Sequence, residues 1–364
     1  MTIDEIKLTL PAETRLPKYL ALADALGNWI ALNHPDSGSR LPSERSLAES
    51  CGTTPVTVAK GLNELVRKGV LERRAGSGTY IAVKGGFSGT LRIGIVAHEP
   101  IKNDECYISD VLQALYGYWQ SRGADLISLI RTPEHYEQTL REYNLAGLFV
   151  VAPQEEFAPK LRELTEKGVP LVTIGICLEG MNNCSFGTEH RKVCERAVEY
   201  LHSRGHRRIG LLNSMPWASS CAEREAGYLR GMWNAKLPVN PDWVIRGPFG
   251  KDAFDESTLI SQLTGQDRLS ALLLANHGAV LPFYRLANRL SLKIPDDLSI
   301  IAFDDPGYAA QLTPSLTVFA QPVKEFSHQA AEQLERLLQH RSLLPVIPSE
   351  AVLIERGSCK TITG

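Results

Sequence analysis

The rhythm of apolar and polar positions changes once along the chain, near residue 90. Before that point apolar residues recur every three or four positions, as in residues 16–32, which is the spacing of an amphipathic helix. After it, short apolar runs of the kind that form buried parallel strands alternate with helical stretches. The pattern predicts a small N-terminal helical domain followed by a larger α/β domain.

Two short helices are predicted after the first one. The Ser43 hydroxyl can accept a hydrogen bond from an orphan backbone N–H, so it opens one helix, which Gly52 closes after barely two turns. Thr53 or Thr54 caps the next helix, with Pro55 at the first position, where a missing N–H costs nothing. Two short helices joined by a turn that contains glycine predict a helix-turn-helix.

A hairpin completes a winged helix. The strand-like segments 70–71 and 79–82 flank the turn "RRAGSG", which holds two arginines. Glycines in this turn let its backbone approach phosphates, while the arginines neutralise them or enter a minor groove. The start of the last helix is the part that can approach base edges in a major groove.

Charge is concentrated on the same segment. The 364 residues carry a net charge of −2, yet residues 44–84 hold seven Lys and Arg against four Glu, so the rest carries −5. A run of charged residues usually forms only a solvent-exposed face, but here the positive charges coincide with the second helix of the helix-turn-helix and with the wing. The predicted DNA-binding residues are Ser43, Arg45, Thr53, Thr54, Thr57, Lys60, Arg73, Arg74, Gly76 and Gly78.

The motif "LPSERSLAESCGTTPVTVAKGLNELVRKGVLERRAGSGTYIA" resembles the DNA-binding domain of the GntR family of bacterial transcription regulators. In that family the Arg of LPSER, the start of the recognition helix and the wing touch operator DNA, which implies Arg45, Thr54, Thr57 and the wing 73–78. The family often has Arg near Pro55 and Ala59, so the base preference stays open. As structural alternatives, Arg45 only pairs with a neighbouring acid and Thr54 only caps its helix.

The larger domain is predicted to form two lobes. The Gly-rich stretch "KGGFSGT" indicates a linker, and two consecutive sets of alternating strands and helices indicate two doubly wound parallel sheets. Ligands are expected at the carboxyl ends of the strands, in the cleft between the lobes. The predicted bounds are 1–84 for the winged helix, 85–90 for the linker, 91–364 for the larger domain, about 91–187 and 322–342 for its first lobe, and about 188–321 and 343–360 for its second.

Three further motifs resemble the effector domain of the LacI/GalR family, which has the periplasmic-binding-protein fold. They are "RIGLLNSMPWASSCAEREAGYLRGM", "LSALLLANHGAVLPFYRLANRLSLKIPDDLSIIAFDD" and "LTPSLTVFAQPVKEFSHQAAEQLERLL". A GntR-type reader joined to such a domain is similar to the arabinose-repressor type of regulator. The resemblance implies that this domain binds a sugar or a derivative and forms a homodimer.

The resemblance also implies effector-binding residues. Arg224 matches the effector-binding Arg of the family, and its planar guanidinium can donate a fork of hydrogen bonds to adjacent hydroxyls. Asn276 can donate and accept, and Asp304 accepts from hydroxyls. Phe249 and Trp217 compete for the role of an aromatic that stacks on the apolar face of the ligand.

Each of these assignments has a structural alternative. Arg224 pairs only with Glu223 or Glu225, Asn276 caps only the next helix, and the two aromatic side chains serve only for packing. His277 stands where the family usually has Asp after Asn, which removes an acceptor or adds a titratable donor. The ligand is therefore not restricted to ordinary neutral pentoses and hexoses. The sequence identifies no ligand-binding residue in the first lobe.

Other functional classes lack their signatures. The seven Cys form no CxxC pair and no cluster at zinc-ligand spacing, so we expect reduced thiols, no metal and no cofactor. No stretch approaches the roughly 18 apolar residues of a membrane helix, and the N-terminus shows no signal-peptide cleavage site. G-x-S-x-G, P-loop, HExxH and G-x-G-x-x-G motifs are missing, so we expect no enzyme.

The sequence thus favours a cytoplasmic, nucleoid-associated transcription regulator. We expect a repressor that binds an inverted-repeat operator as a dimer and is released when a sugar-like effector enters the cleft. A non-sugar ligand or a corepressor in the same cleft is the alternative. A second alternative is a periplasmic sugar-binding protein, which the attached winged helix disfavours. A third is a DNA-binding protein whose lobes mainly bind protein partners, and a cleft without small-molecule affinity would favour it.

Overall fold

The structure of the chain is a computed structural model, and it describes all but a few segments of the sequence. The described residues are 17–33, 35, 38–67, 70–74, 76–81, 91–97, 106–181, 183–248, 256–339 and 341–362. The predicted linker, residues 85–90, and Phe249 lie outside them. Within the described residues the predicted class is confirmed, because a winged helix precedes two α/β lobes with mainly parallel sheets.

Three helices pack around a small apolar core near the N-terminus. They are α1 (Lys18–Asn33), α2 (Glu44–Ser50) and α3 (Pro55–Arg67). The core includes five leucines that are at most 1% exposed, namely Leu22, Leu26, Leu47, Leu62 and Leu65. The Ser43 hydroxyl accepts a hydrogen bond from the backbone N–H of Ser46 at 3.2 Å, so the predicted cap of α2 is confirmed.

The wing is an antiparallel hairpin of β1 (Leu71–Arg74) and β2 (Gly78–Ile81). The first strand is longer than the sequence predicted. Arg73 and Arg74 belong to it and not to the turn, because the pairing continues until Arg74 lies opposite Gly78. Arg40 forms an isolated antiparallel bridge with Tyr80 and so adds a third chain segment to the wing.

The first lobe is built on a five-stranded parallel sheet in the order β4-β3-β5-β6-β7. Its strands are β3 (Leu91–Ala97), β4 (Ala124–Ile130), β5 (Gly147–Val151), β6 (Leu171–Ile176) and β7 (Ser185–Thr188). Its helices are α4 (Cys106–Gln120), α5 (Tyr136–Tyr143), α6 (Ala158–Glu166) and, from far along the chain, α11 (Val323–Leu338). Trp119 and Phe326 fill the core on the face of α4 and α11, whereas Tyr136 and Leu161 fill the face of α5 and α6.

The second lobe is built on a six-stranded sheet in the order β13-β12-β11-β10-β8-β9. Its strands are β8 (Ile209–Asn213), β9 (Val244–Arg246), β10 (Ala271–Leu274), β11 (Ser299–Phe303), β12 (Thr317–Ala320) and β13 (Val352–Ile354). Its helices are α7 (His190–Ser203), α8 (Ser219–Asn234), α9 (Ser257–Thr264) and α10 (Val280–Arg289). All neighbouring strands are parallel except β12 and β13, so this sheet has one antiparallel edge.

The backbone passes between the lobes at three places within the described residues. It crosses between β7 and α7, between β12 and α11, and again before β13. A parallel bridge joins Thr188 to Ser349, which ties the first crossing to the third. Leu343 and Val346 pack against the core of the first lobe, so the last return to the second lobe follows them.

Gly227 fixes how closely α8 packs on α7. A Cβ added at this glycine would lie 2.2 Å from the carbonyl oxygen of Arg191, a backbone atom of α7. Because backbone cannot yield as a side-chain end can, we predict that Gly227→Ala lowers the free energy of unfolding by about 2 kcal/mol or more. Thermal and urea unfolding of the purified protein measure this change.

Gly117 in α4 provides the matched control. A Cβ there meets nothing within 4 Å, so Gly117→Ala should raise the stability by about 0.5–1 kcal/mol through helix propensity. Equal and small effects of the two substitutions would contradict the close packing of α7 on α8.

Candidate functional site

The start of α3 presents its side chains to solvent. The Thr54 hydroxyl accepts from the backbone N–H of Thr57 at 3.3 Å, so of the two predicted candidates Thr54 has the hydrogen bond of a cap, and Thr53 is half-buried. Lys60 is exposed one turn further on. The sequence analysis omitted Val56, which is 66% exposed on this helix and could meet a thymine methyl group.

Arg45 extends from α2 into solvent. Its side chain is 87% exposed, and its Nε lies 3.4 Å from a carboxylate oxygen of Glu49, which is 72% exposed. An exposed pair of this kind contributes only about 0–1 kcal/mol. The alternative of a neighbouring salt bridge is therefore present in the structure, and a phosphate could replace it at little cost.

The two wing arginines are also held by carboxylates. Arg73 donates to Glu44 of α2 at 2.8 Å, which joins the wing to the helix-turn-helix. Arg74 donates to Glu72 through Nε at 2.9 Å, and its guanidinium lies 4.2 Å from the ring centroid of Tyr80. Because consecutive side chains of a strand point to opposite faces, Arg73 lies on the face of the hairpin towards α2 and Arg74 on the other, beside Glu72 and Tyr80.

The wing glycines adopt backbone conformations that other residues avoid. Gly76 has φ +71° and Gly78 has φ +124°, both in the region that favours glycine. A Cβ at Gly78 would lie 3.1 Å from Nε of Arg40, so the Arg40 side chain lies over this glycine. Arg40 is exposed and joins the cationic wing, although no sequence motif singled it out.

The cleft residues of the second lobe come from neighbouring strand ends. Ser214 follows β8, Asn276 follows β10 and Asp304 follows β11, so parallel pairing brings all three to one edge of the sheet. Arg224 of α8 faces this edge, and its Nη1 donates to the carbonyl oxygen of Ala275 at 2.6 Å. The structure therefore brings Arg224, Asn276 and Asp304 together.

Arg224 and Asp304 form a buried pair of opposite charges. Arg224 Nη1 lies 4.0 Å from Asp304 Oδ2, with side chains 4% and 10% exposed. The guanidinium carbon lies 4.8 Å from the ring centroid of Phe303, and Nε is buried without a hydrogen-bond partner among the described residues. Within the described residues the guanidinium is thus only partly satisfied, and its Nε is a buried donor without an acceptor.

The alternative pairing of Arg224 with its helix neighbours does not occur. Glu223 accepts from Arg191 at 2.7 Å, and Glu225 accepts from Nε of Arg246 at 3.0 Å. Both glutamates are therefore engaged with arginines outside the cleft.

Asp304 is ionised by its surroundings. Gln321 Nε2 donates to Oδ1 at 2.5 Å, and His277 Nδ1 lies 3.4 Å from Oδ2. Burial opposes the charge, but the Arg224 guanidinium and then His277 outweigh it and hold the pKa of Asp304 well below its usual range. Asp304 also has φ +69°, a strained conformation for a residue with a side chain.

Asn276 is oriented by its own lobe. Its Oδ1 accepts from the Ser214 hydroxyl at 3.0 Å, and its Nδ2 lies 3.6 Å from Cys221 Sγ. Its side chain makes no cap hydrogen bond to the 3-10 turn His277–Ala279 among the described residues, so the alternative of a simple helix cap is not supported.

The first lobe contributes Tyr107, which the sequence analysis did not assign. Its hydroxyl is buried with no hydrogen-bond partner among the described residues and would lie 2.9 Å from a Cβ on Gly175. Burial, followed by the nearby charge of Asp304, raises the pKa of Tyr107. The ring follows β3 at the start of α4, and only the packing of the two lobes reveals that it reaches the Asp304 side.

The two predicted aromatic stackers differ in what the structure shows. Trp217 is 49% exposed in the segment between β8 and α8, so it is not a core residue. Phe249 lies outside the described residues. The stacking role stays a prediction for both side chains.

Six of the seven cysteines are free thiols in the described structure, and four of these are buried. In the described part of the chain, no group of three or more His, Cys, Asp and Glu side chains could hold a metal ion. No described helix is both long and apolar enough to cross a membrane.

Comparison with known proteins decides the family. Residues 18–81 match the bacterial regulatory proteins of the gntR family, and residues 198–359 match a periplasmic binding protein-like domain. The probable opine utilization operon repressor of Rhizobium rhizogenes is 32% identical over 182 residues, which cover 46% of this chain and 88% of that protein. The chain belongs to the same family of transcriptional repressors as this relative, and it joins a gntR-type DNA-binding domain to a periplasmic binding protein-like domain. The two predicted family resemblances are confirmed.

Other relatives agree with this assignment. The HTH-type transcriptional repressor PurR of Vibrio parahaemolyticus is 25% identical over 266 residues, 70% of the regulator and 78% of PurR. The Escherichia coli transcriptional repressor ascG superposes with a TM-score of 0.65 at 19% identity, covering 74% of the regulator and all of that chain. A LacI family regulator from Lactobacillus casei with bound glucose gives 0.62 at 18% identity, with 74% and 100% covered. These superpositions establish the fold of the larger domain.

His190 holds the first chain crossing between the lobes by a buried hydrogen bond to the first lobe. It is 4% exposed, and its Nε2 donates to the carbonyl oxygen of Gly175 at 2.9 Å. Burial, reinforced by the Arg224 charge, lowers the pKa of His190 from 6.5 to about 3. The imidazole is therefore neutral in the folded regulator at neutral pH.

This histidine predicts an acid-sensitive fold. Between pH 6.5 and about 3 the unfolded chain binds a proton at this position that the folded chain does not, so stability falls as the pH falls. Each pH unit in that window costs about 1.4 kcal/mol. We predict that His190→Gln, which keeps the donor to Gly175, loses less stability than the wild type between pH 7 and pH 5 in thermal unfolding. Parallel losses in the two proteins would contradict a neutral buried His190.

Proposed function

We propose that this regulator binds an inverted-repeat operator as a homodimer and releases it when a small polar effector occupies the cleft. The observation that carries the proposal is the pair of unpartnered donors, Arg224 Nε and Tyr107 Oη, buried on the two sides of the cleft. A buried polar group without a partner costs about 1–3 kcal/mol. A ligand that accepts hydrogen bonds from both would recover this cost only when the lobes close on it.

The donors and acceptors of the cleft suit a ligand with several hydroxyl groups. Arg224 donates, Asp304 accepts, and Gln321 Oε1 is a buried acceptor without a partner among the described residues. A sugar or sugar derivative offers both kinds of group on adjacent carbons. The neighbour with bound glucose supports this class for the fold.

A non-sugar ligand is the second candidate, and His277 favours it. This side chain lies 3.4 Å from Asp304, so part of the carboxylate is already engaged before a ligand arrives. One relative is named as the probable repressor of an opine utilization operon, which supports a ligand other than a simple sugar. A corepressor in this cleft would use the same closure with the opposite effect on DNA binding.

The proposed response links cleft closure to the spacing of two winged helices. A ligand shifts an equilibrium only by its difference in affinity between two states, which here are open and closed lobes. Closed lobes would reposition the two DNA-binding domains of the dimer against an operator of two-fold symmetry. In this proposal the regulator acts by binding and not by catalysis. The DNA-binding domain ends at residue 84, and the linker ends at residue 90.

The DNA face comprises residues from the helix-turn-helix and the wing. The wing arginines and Arg40 neutralise phosphates, and the exposed start of α3 reads bases. The proposed contact residues are Arg40, Ser43, Arg45, Thr53, Thr54, Val56, Thr57, Lys60, Arg73, Arg74, Gly76 and Gly78.

The effector site is tested by thermal unfolding against monosaccharides, sugar acids and sugar phosphates. A ligand at 100 times its Kd stabilises the folded state by about 2.7 kcal/mol, which raises the Tm. We predict that Arg224→Ala and Asp304→Asn abolish the shift of any ligand that stabilises the wild type. Glu223→Gln, a change on α8 outside the cleft, should keep it. Equal shifts in all four proteins would place the ligand elsewhere.

The phosphate contacts are tested by the salt dependence of DNA binding. An operator is first selected from a pool of random duplexes, and its affinity is then measured from low to moderate salt. Loss of one phosphate contact lowers the slope of log affinity against log salt by about one per protomer, which we predict for Arg73→Ala. Arg67→Ala serves as the control, because this exposed arginine ends α3 and pairs with Glu64. A slope that Arg73→Ala leaves unchanged would refute the wing contact.

A further inference from the structure

We propose that Gln154 of the first lobe caps the helix that carries Arg224 in the second lobe, and that this cap sets how firmly the cleft closes. Gln154 Oε1 accepts from the backbone N–H of Ser219 at 3.0 Å and from its hydroxyl at 2.9 Å. The Ser219 oxygen in turn accepts from the backbone N–H of Glu155 at 2.7 Å. These three hydrogen bonds, here called the cross-lobe cap, join the loop after β5 to the first residue of α8.

Helix α8 lacks a cap from its own segment. The first N–H groups of a helix have no partner inside it, and a side chain just before the helix usually supplies the acceptor. The residue in that position is Ala218, which has no side-chain acceptor. The first orphan donor of α8 is therefore satisfied by a side chain that belongs to the opposite lobe.

The cap is connected to the effector site through one helix. Arg224 lies five residues after Ser219 on α8, and its guanidinium contacts the strand ends of the second lobe. Opening of the lobes removes the acceptor from the start of this helix, whereas closing restores it. Closure and the order of the first turn of α8 are thus coupled.

Electrostatics act in the same direction at this point. Arg191, at the start of α7 in the second lobe, pairs with Glu223, and Glu155 of the first lobe further raises the pKa of Arg191. Helix α8 also directs the positive end of its dipole at Gln154 Oε1. Both effects attract the loop after β5 towards the second lobe.

The consequence concerns the sensitivity of the regulator. A ligand that needs the closed lobes binds with an apparent affinity proportional to the closed fraction of the free protein. Gln154 and Ser219 are then positioning residues that set this fraction without touching the ligand. This consequence rests on the proposed function, whereas the cross-lobe cap itself can be tested on protein without any ligand.

The test is hydrogen exchange of residues 215–224 in the ligand-free, full-length protein. Gln154→Ala should speed exchange in the first turn of α8 about fivefold, as expected for loss of one ordinary hydrogen bond, and should increase the radius of gyration in X-ray scattering. Gln154→Glu keeps the acceptor oxygen and adds a negative charge at the helix start, so exchange should stay at the wild-type rate or become slower. Gln138→Ala is the control, because this exposed glutamine of the same lobe bonds only to Glu142 of its own helix.

Two results would overturn the proposal. Wild-type exchange in Gln154→Ala would mean that the cap does not form in solution. Equally fast exchange in Gln154→Ala and Gln154→Glu would mean that only the packing of the neutral side chain matters. Neither result depends on an effector, so a thermal-shift panel without a hit leaves this test intact, and a failed cap leaves the effector site intact.

Discussion

Two opposite charges, on Arg224 and Asp304, lie buried between the lobes, and the construction of the cleft follows from keeping them satisfied. A charge that leaves water costs several kcal/mol unless partners surround it. Here the Ala275 carbonyl, Gln321 and His277 supply these partners from the ends of two strands, β10 and β12, 3.4 Å or less from the charged groups. A ligand can accept hydrogen bonds from the donors of Arg224 that have no acceptor among the described residues. Burial of the pair therefore costs free energy without a ligand, and a bound ligand recovers part of it.

The two-lobed architecture connects this pair to movement. In the described part of the chain three crossings join the lobes, and His190 and the bridge from Thr188 to Ser349 hold the first of them. The cross-lobe cap, by contrast, consists of hydrogen bonds to side chains that separate when the lobes part. A rigid crossing beside separable contacts is the arrangement that lets a small ligand shift a large domain.

Periodicity and motifs predicted the parts of the fold that depend on local sequence. The Ser43 cap, the helix start at Pro55 and the strand ends before Asn276 and Asp304 all follow from a few neighbouring residues. Strands β7, β12 and β13 were not predicted, because they lie beside the crossings between the lobes, where the regular alternation of strand and helix is broken. Contacts between residues that are far apart in the chain could not be predicted from the sequence. Tyr107, the cross-lobe cap and the Arg40 bridge each join segments that only tertiary packing brings together.

The central claim is that occupancy of the cleft controls the hold on DNA, and linked binding tests it most directly. The measurement is operator affinity by fluorescence anisotropy, with and without a saturating ligand identified by thermal unfolding, for the wild type and for Arg224→Ala. The account predicts that the ligand changes the wild-type affinity and that operator DNA changes the ligand affinity by the same factor, while the variant shows neither effect. An operator affinity that a bound ligand leaves unchanged in the wild type would contradict it.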